Sequence, residues 1–61
     1  MKRDEENLHY AVRNRYKFLL VTPEGLIKRF SNDRRTLERF QKGYKNDWSI
    51  YTITQYKNLT K

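Results

Sequence analysis

Apolar positions recur in parts of this chain at helical spacing and elsewhere gather in short runs of aromatic and branched residues, and each pattern predicts a different element. In DEENLHYAVRNR, Leu8, Ala11 and Val12 stand at helical intervals, with acids ahead of them and Arg13 and Arg15 behind. That order complements a helix dipole and predicts a short N-terminal helix, marginal unless it packs on something. RYKFLLVT, rich in aromatic and branched residues, predicts a strand. In TPEG, Pro23 pre-sets a turn and Gly25 supplies the left-handed residue that closes a three-residue hairpin loop. LIKRF returns as the second strand. In NDRRTLERFQKGYK, residues 32–45, Leu37, Phe40 and Tyr44 fall at i, i+3 and i+7, one stripe of a helix. Ser31 or Asn32 caps that helix, Asp33 lies in its first turn, and Gly43 weakens its end. WSIYTITQY reads as the third strand.

Together these elements predict an α+β fold in the order (α)ββαβ. Residues 1–14 form an N-terminal segment and residues 15–61 a single compact domain. The helix between strands two and three returns the chain beside strand one. The three-stranded antiparallel or mixed sheet therefore has the order 2-1-3, with the main helix on one face. YKFLLV, the most apolar strand, takes the centre. Pairing across the loop sets Thr22 opposite Leu26 and Phe18 opposite Phe30. One face then carries Tyr16, Phe18, Leu20, Leu26 and Phe30 beneath the helix stripe. The other carries Leu19, Val21 and Ile27, edged by Lys17 and Arg29, and needs a cover from Leu8, Ala11 and Val12 or from a partner. Strand two remains a free edge, open to another strand.

At 61 residues the core is small, and an aromatic fraction of 15% lets it bury more area per residue. With no Cys, neither a disulfide framework nor a thiolate metal site is expected. The longest apolar run is FLLV, so we expect no signal peptide, no membrane partner and a cytoplasmic location.

Charge changes the picture more. The net charge is +7, split as −1 over residues 1–12 and +8 over residues 13–61. On the helix of residues 32–45, Arg34, Arg35, Arg39, Lys42 and Lys45 share the outer side with one acid, Glu38, which has Lys42 at i+4. Lys28 and Arg29 precede them. Arginine forks match phosphate geometry and give sequence-independent affinity. Tyr16, Trp48, Tyr51 and Tyr56 are candidates to stack unpaired bases.

Catalytic chemistry is not expected. His9 stands alone, the serines and threonines have no base in view, and the two glycines, Gly25 and Gly43, make no phosphate loop. No cofactor is called for. The expectation is a small basic binding protein that contacts DNA or RNA, although zinc-finger, basic-zipper and RNA-recognition signatures are lacking. The alternative partner is an acidic surface of a larger protein. In size, charge and aromatic content the chain looks like the small accessory proteins that bacteriophages encode to bind, modulate or inhibit host proteins, a likeness that covers no motif. A homodimer through the apolar sheet face or the free edge is a third expectation.

Overall fold

A computed structural model describes residues 3–44 and 47–59, with the backbone alone at Tyr44. The Tyr44 side chain and Lys45 therefore lie outside the described part. The elements are α1 (Glu5–Arg13), β1 (Phe18–Val21), β2 (Ile27–Ser31), α2 (Arg34–Tyr44), β3 (Ser49–Thr52) and α3 (Ile53–Leu59). They form an α+β domain around a three-stranded sheet of order β2-β1-β3, in which β1 is antiparallel to both neighbours.

Both ends of α1 are closed by local chemistry. Asp4 is the N-cap, accepting from the Asn7 N–H at 3.4 Å, and Glu5 and Glu6 follow in the first turn. At the other end Tyr16 N–H donates to the Ala11 carbonyl at 2.9 Å and Arg15 N–H to the Val12 carbonyl at 3.1 Å. This is the paired 6→1 and 5→2 pattern of a Schellman ending. Arg15 takes the left-handed position, with φ of 60°, where glycine is usual.

The hairpin loop forms as its residues require. Thr22 N–H donates to the Leu26 carbonyl at 2.9 Å, Gly25 N–H to the Thr22 carbonyl at 2.9 Å, and Gly25 has φ of 95°. Beyond the loop the simple register fails. Val21 pairs with Ile27, but Leu20 pairs with Arg29, Leu19 with Phe30 and Phe18 with Ser31. The irregularity between Leu20 and Val21 leaves Lys28 as an extra residue on β2, a bulge. Because side chains alternate with period two, one extra residue moves everything after it to the other face. Phe30 and Tyr16, both expected beneath α2, instead pack against the opposite cluster. Arg29 goes the other way, onto the α2 side. Leu26, also expected beneath α2, is 46% exposed.

The end of the chain also departs from expectation. β3 stops at Thr52 and α3 replaces the rest of the expected strand. Thr52 and Gln55 close a capping box: Thr52 N–H donates to Gln55 Oε1 at 2.9 Å and Gln55 N–H to Thr52 Oγ1 at 3.1 Å. The helical turn swings Tyr56 back under the sheet.

Leu8, Ala11, Leu19, Val21, Ile27 and Tyr56 form one buried cluster. The sheet face that needed a cover thus receives it from α1 and α3, with Val12 left 47% exposed. Leu20 and Leu37, on the α2 side, are the buried apolar residues outside this cluster among the described residues.

Candidate functional site

The start of α2 is set by three side chains, each with a separate task. Asp33 Oδ1 accepts from Arg35 N–H at 2.9 Å, so Asp33 itself caps the helix. Ser31 Oγ accepts from Asp33 N–H at 2.9 Å, and Asn32 Oδ1 accepts from Lys17 N–H at 2.9 Å. Neither Ser31 nor Asn32 is the cap. With the helix start fixed and Leu37 buried, Arg34, Arg35, Arg39 and Lys42 are all exposed on the outer side. Glu38, expected beside Lys42, pairs with Arg34 instead, its Oε1 3.3 Å from Arg34 Nε.

The bulge adds two more cations. Lys28 and Arg29 both line a cleft of about 240 Å³ on the α2 side of the sheet, together with Leu20, Phe40 and Trp48. The Arg29 guanidinium carbon lies 4.3 Å from the centre of the Phe40 ring, a cation–π contact. Since β1 lies between β2 and β3, the cations stand to one side of Leu20 and Trp48, just ahead of β3, to the other. Phe40 approaches from the helix. Gly43 lies about 60° round α2 from Phe40, on the side away from Leu37. Among the described residues, its chain neighbours and its own helix backbone aside, nothing comes within 4 Å of where a Cβ on Gly43 would be.

The four candidate stacking rings do not share a surface. Trp48 joins the cationic cleft. Tyr16 is stacked on Phe30, centroids 5.4 Å apart and planes 20° from parallel, with Tyr10 5.3 Å from the same Phe30 ring. Tyr51 packs on the buried cluster with Tyr16, on the opposite face from Trp48. Tyr56 is fully buried, so its ring has no face to offer a base. Its hydroxyl accepts from Asp4 N–H at 2.8 Å and donates to the Gly25 carbonyl.

Asp4 is the structural hub that the sequence did not single out. Its Oδ2 accepts from Ile27 N–H at 3.0 Å and from Asn7 Nδ2 at 2.9 Å, while Asn7 Nδ2 also reaches the Ile27 carbonyl at 3.4 Å. The outer backbone groups of Ile27 are thereby occupied, so the expected free edge of β2 is closed at this residue. Burial raises the Asp4 carboxyl pKa, but the Asn7 side chain, the Ile27 and Asn7 N–H groups and the Lys28 charge outweigh it. The net effect holds Asp4 below the ordinary aspartate value.

A second hollow, between α1 and α3, carries Arg3, Arg13 and Lys57 but also Glu5, and no Phe, Tyr or Trp lines it. His9 is an exposed helix residue, its Nε2 3.4 Å from Glu5 Oε2. Among the described residues no group of three His, Cys, Asp or Glu could hold a metal ion, and no helix is long and apolar enough to cross a membrane.

The arrangement on the α2 side thus offers charge for an anion and aromatic surface for a planar ring in one place. Comparison with known proteins gave no match: no family model, no curated protein and no solved structure is significantly similar to this chain.

Proposed function

We propose that this protein is a small non-enzymatic module that binds nucleic acid through the cationic surface of α2 and the adjoining cleft. The observation that carries this reading is the continuity of charge. Arg35, Arg39 and Lys42 are exposed along α2, and Lys28 and Arg29 extend the field onto β2. A single acid, Glu38, lies among the α2 cations, and its carboxylate is turned toward Arg34. Like charges this close repel one another in the free protein, and a phosphate backbone relieves that repulsion. The α1/α3 hollow has cations too, but lacks the aromatic surface.

Docking on an acidic surface of a larger protein, in the manner of phage accessory proteins, uses the same charges. It loses one support, because Asp4 and Asn7 occupy the β2 edge at Ile27.

The test is a titration of labelled single- and double-stranded DNA and RNA. If about four phosphates are neutralised, raising salt from about 50 to about 200 mM lowers affinity roughly a hundredfold. The double variant Arg35→Glu, Arg39→Glu should abolish this binding while the circular dichroism spectrum stays unchanged. Absence of binding at the lower salt concentration overturns the reading.

A further inference from the structure

We infer that the cleft between β2 and α2 holds one unpaired base of a single-stranded nucleic acid, with Lys28 and Arg29 on its phosphate. This inference rests on the nucleic-acid reading above and adds the strand type and the mode of contact. Three observations carry it.

The first is the lining. Leu20 lies buried at the base of the cleft, and the half-buried rings of Trp48 and Phe40 supply aromatic surface. Aromatic stacking is how proteins hold unpaired bases without reading their sequence. The second is the placement of charge. Lys28 and Arg29 enter from β2, on the opposite side of Leu20 from Trp48, so the cations and the indole are set apart as phosphate and base are in a nucleotide. Arg29 is held over Phe40 at 4.3 Å, which limits the freedom of its guanidinium. The bulge is what creates this arrangement. Regular alternation would turn one of two successive side chains away, whereas both Lys28 and Arg29 line the cleft.

The third is size and access. The cleft, at about 240 Å³, is smaller than pockets for drug-sized ligands, which run from about 300 to 1,000 Å³. It suits a single planar base. Gly43 leaves the neighbouring flank of α2 without a side chain, and no described residue outside its own helix fills the space where one would stand. A base inside a duplex is already stacked and paired, and entering the cleft would require it to be flipped out.

The protein has one Trp, so Trp48 emission reports on the cleft. The experiment titrates the full chain with a short single-stranded oligothymidylate, an abasic strand of the same length and a duplex, all at low salt. The abasic strand keeps the phosphates and removes the rings. The expected result is that the intact strand binds about tenfold tighter than the abasic strand and quenches Trp48, while the duplex binds without quenching. Trp48→Leu should remove the difference between the two strands. Should that variant fail to fold, the ligand comparison on the native chain still decides.

Equal affinity for intact and abasic strands overturns the base-binding cleft and leaves phosphate binding by α2 standing. Tighter binding of the intact strand with unchanged Trp48 emission also overturns it, because the base then stacks elsewhere. No binding of any of the three ligands removes the inference and the nucleic-acid reading together.

Discussion

On the α1/α3 side of the sheet, Leu8, Ala11, Leu19, Val21, Ile27 and Tyr56 close into one buried cluster, with Tyr16, Phe30, Tyr51 and Ile53 packed around it. Its polar groups are tied as well: hydrogen bonds join Asp4, Asn7 and the Tyr56 hydroxyl to one another and to the backbone of Gly25 and Ile27. On the α2 side only Leu20 and Leu37 are fully buried among the described residues, and cations and half-buried rings surround an open cleft. A small domain has little apolar surface to spend, and this one concentrates it. One face carries the stability, and the other keeps its aromatic and charged groups accessible. Among the described residues the α2 side is therefore the more open of the two, and it is the side on which the proposed site lies.

The largest effect comes from removing a buried leucine on each side. Leu19→Ala should lose about 3–5 kcal/mol, and Leu37→Ala about 2–3 kcal/mol because Phe40 and Trp48 can settle toward the void. Urea unfolding of the two variants checks this, and an equal or larger loss at Leu37 would erase the distinction between the faces.

Next is Tyr56→Phe, which keeps the ring and deletes the hydroxyl between Asp4 N–H and the Gly25 carbonyl. Leaving those groups without this partner should cost about 1–3 kcal/mol. Nucleic-acid affinity, measured where the variant is folded, should not change, since Tyr56 lies on the other side of the sheet from the cleft. A drop in affinity would mean that the two faces are coupled.

The smallest effect is the acid response of Asp4. Its carboxyl titrates below the ordinary value in the folded chain, so the folded state favours the ionised form. That contribution is present above the unfolded value of about 3.9 and fades as pH falls through the lower native value. Asp4→Asn can still cap α1 but cannot titrate. Thermal melts of both proteins from neutral pH downward should therefore converge at low pH. A gap that stays constant would show that Asp4 acts through packing and neutral hydrogen bonds alone.

Much of the fold was legible because it rests on local chemistry. Acids before and bases after Leu8 and Ala11 mark α1, TPEG marks the hairpin, and the spacing of Leu37 and Phe40 sets the phase of α2. One local signal competes with the strand preference around it. Thr52 and Gln55 spell a capping box, but Thr, Ile and Tyr around them have strong strand preference, and the helix appears only where Tyr56 gains burial. Of the candidate site, the cations of α2 were visible as a face. The union of Lys28, Arg29, Phe40 and Trp48 was not, because it depends on which way two residues of β2 point.

By itself, then, the sequence determined the elements through Thr52, the β2-β1-β3 order and the cationic side of α2, since short-range periodicity, caps and turn residues specify these. Tertiary structure decided the bulge at Lys28, the exchange of Phe30 and Arg29 between faces and the closure of the β2 edge by Asp4 and Asn7. A slip of one residue reverses every following side chain at no change in local preference. The register that the protein adopts is the one that sets Phe30 against Tyr16, Arg29 over Phe40 and Ile27 against Asp4, contacts formed between distant parts of the chain.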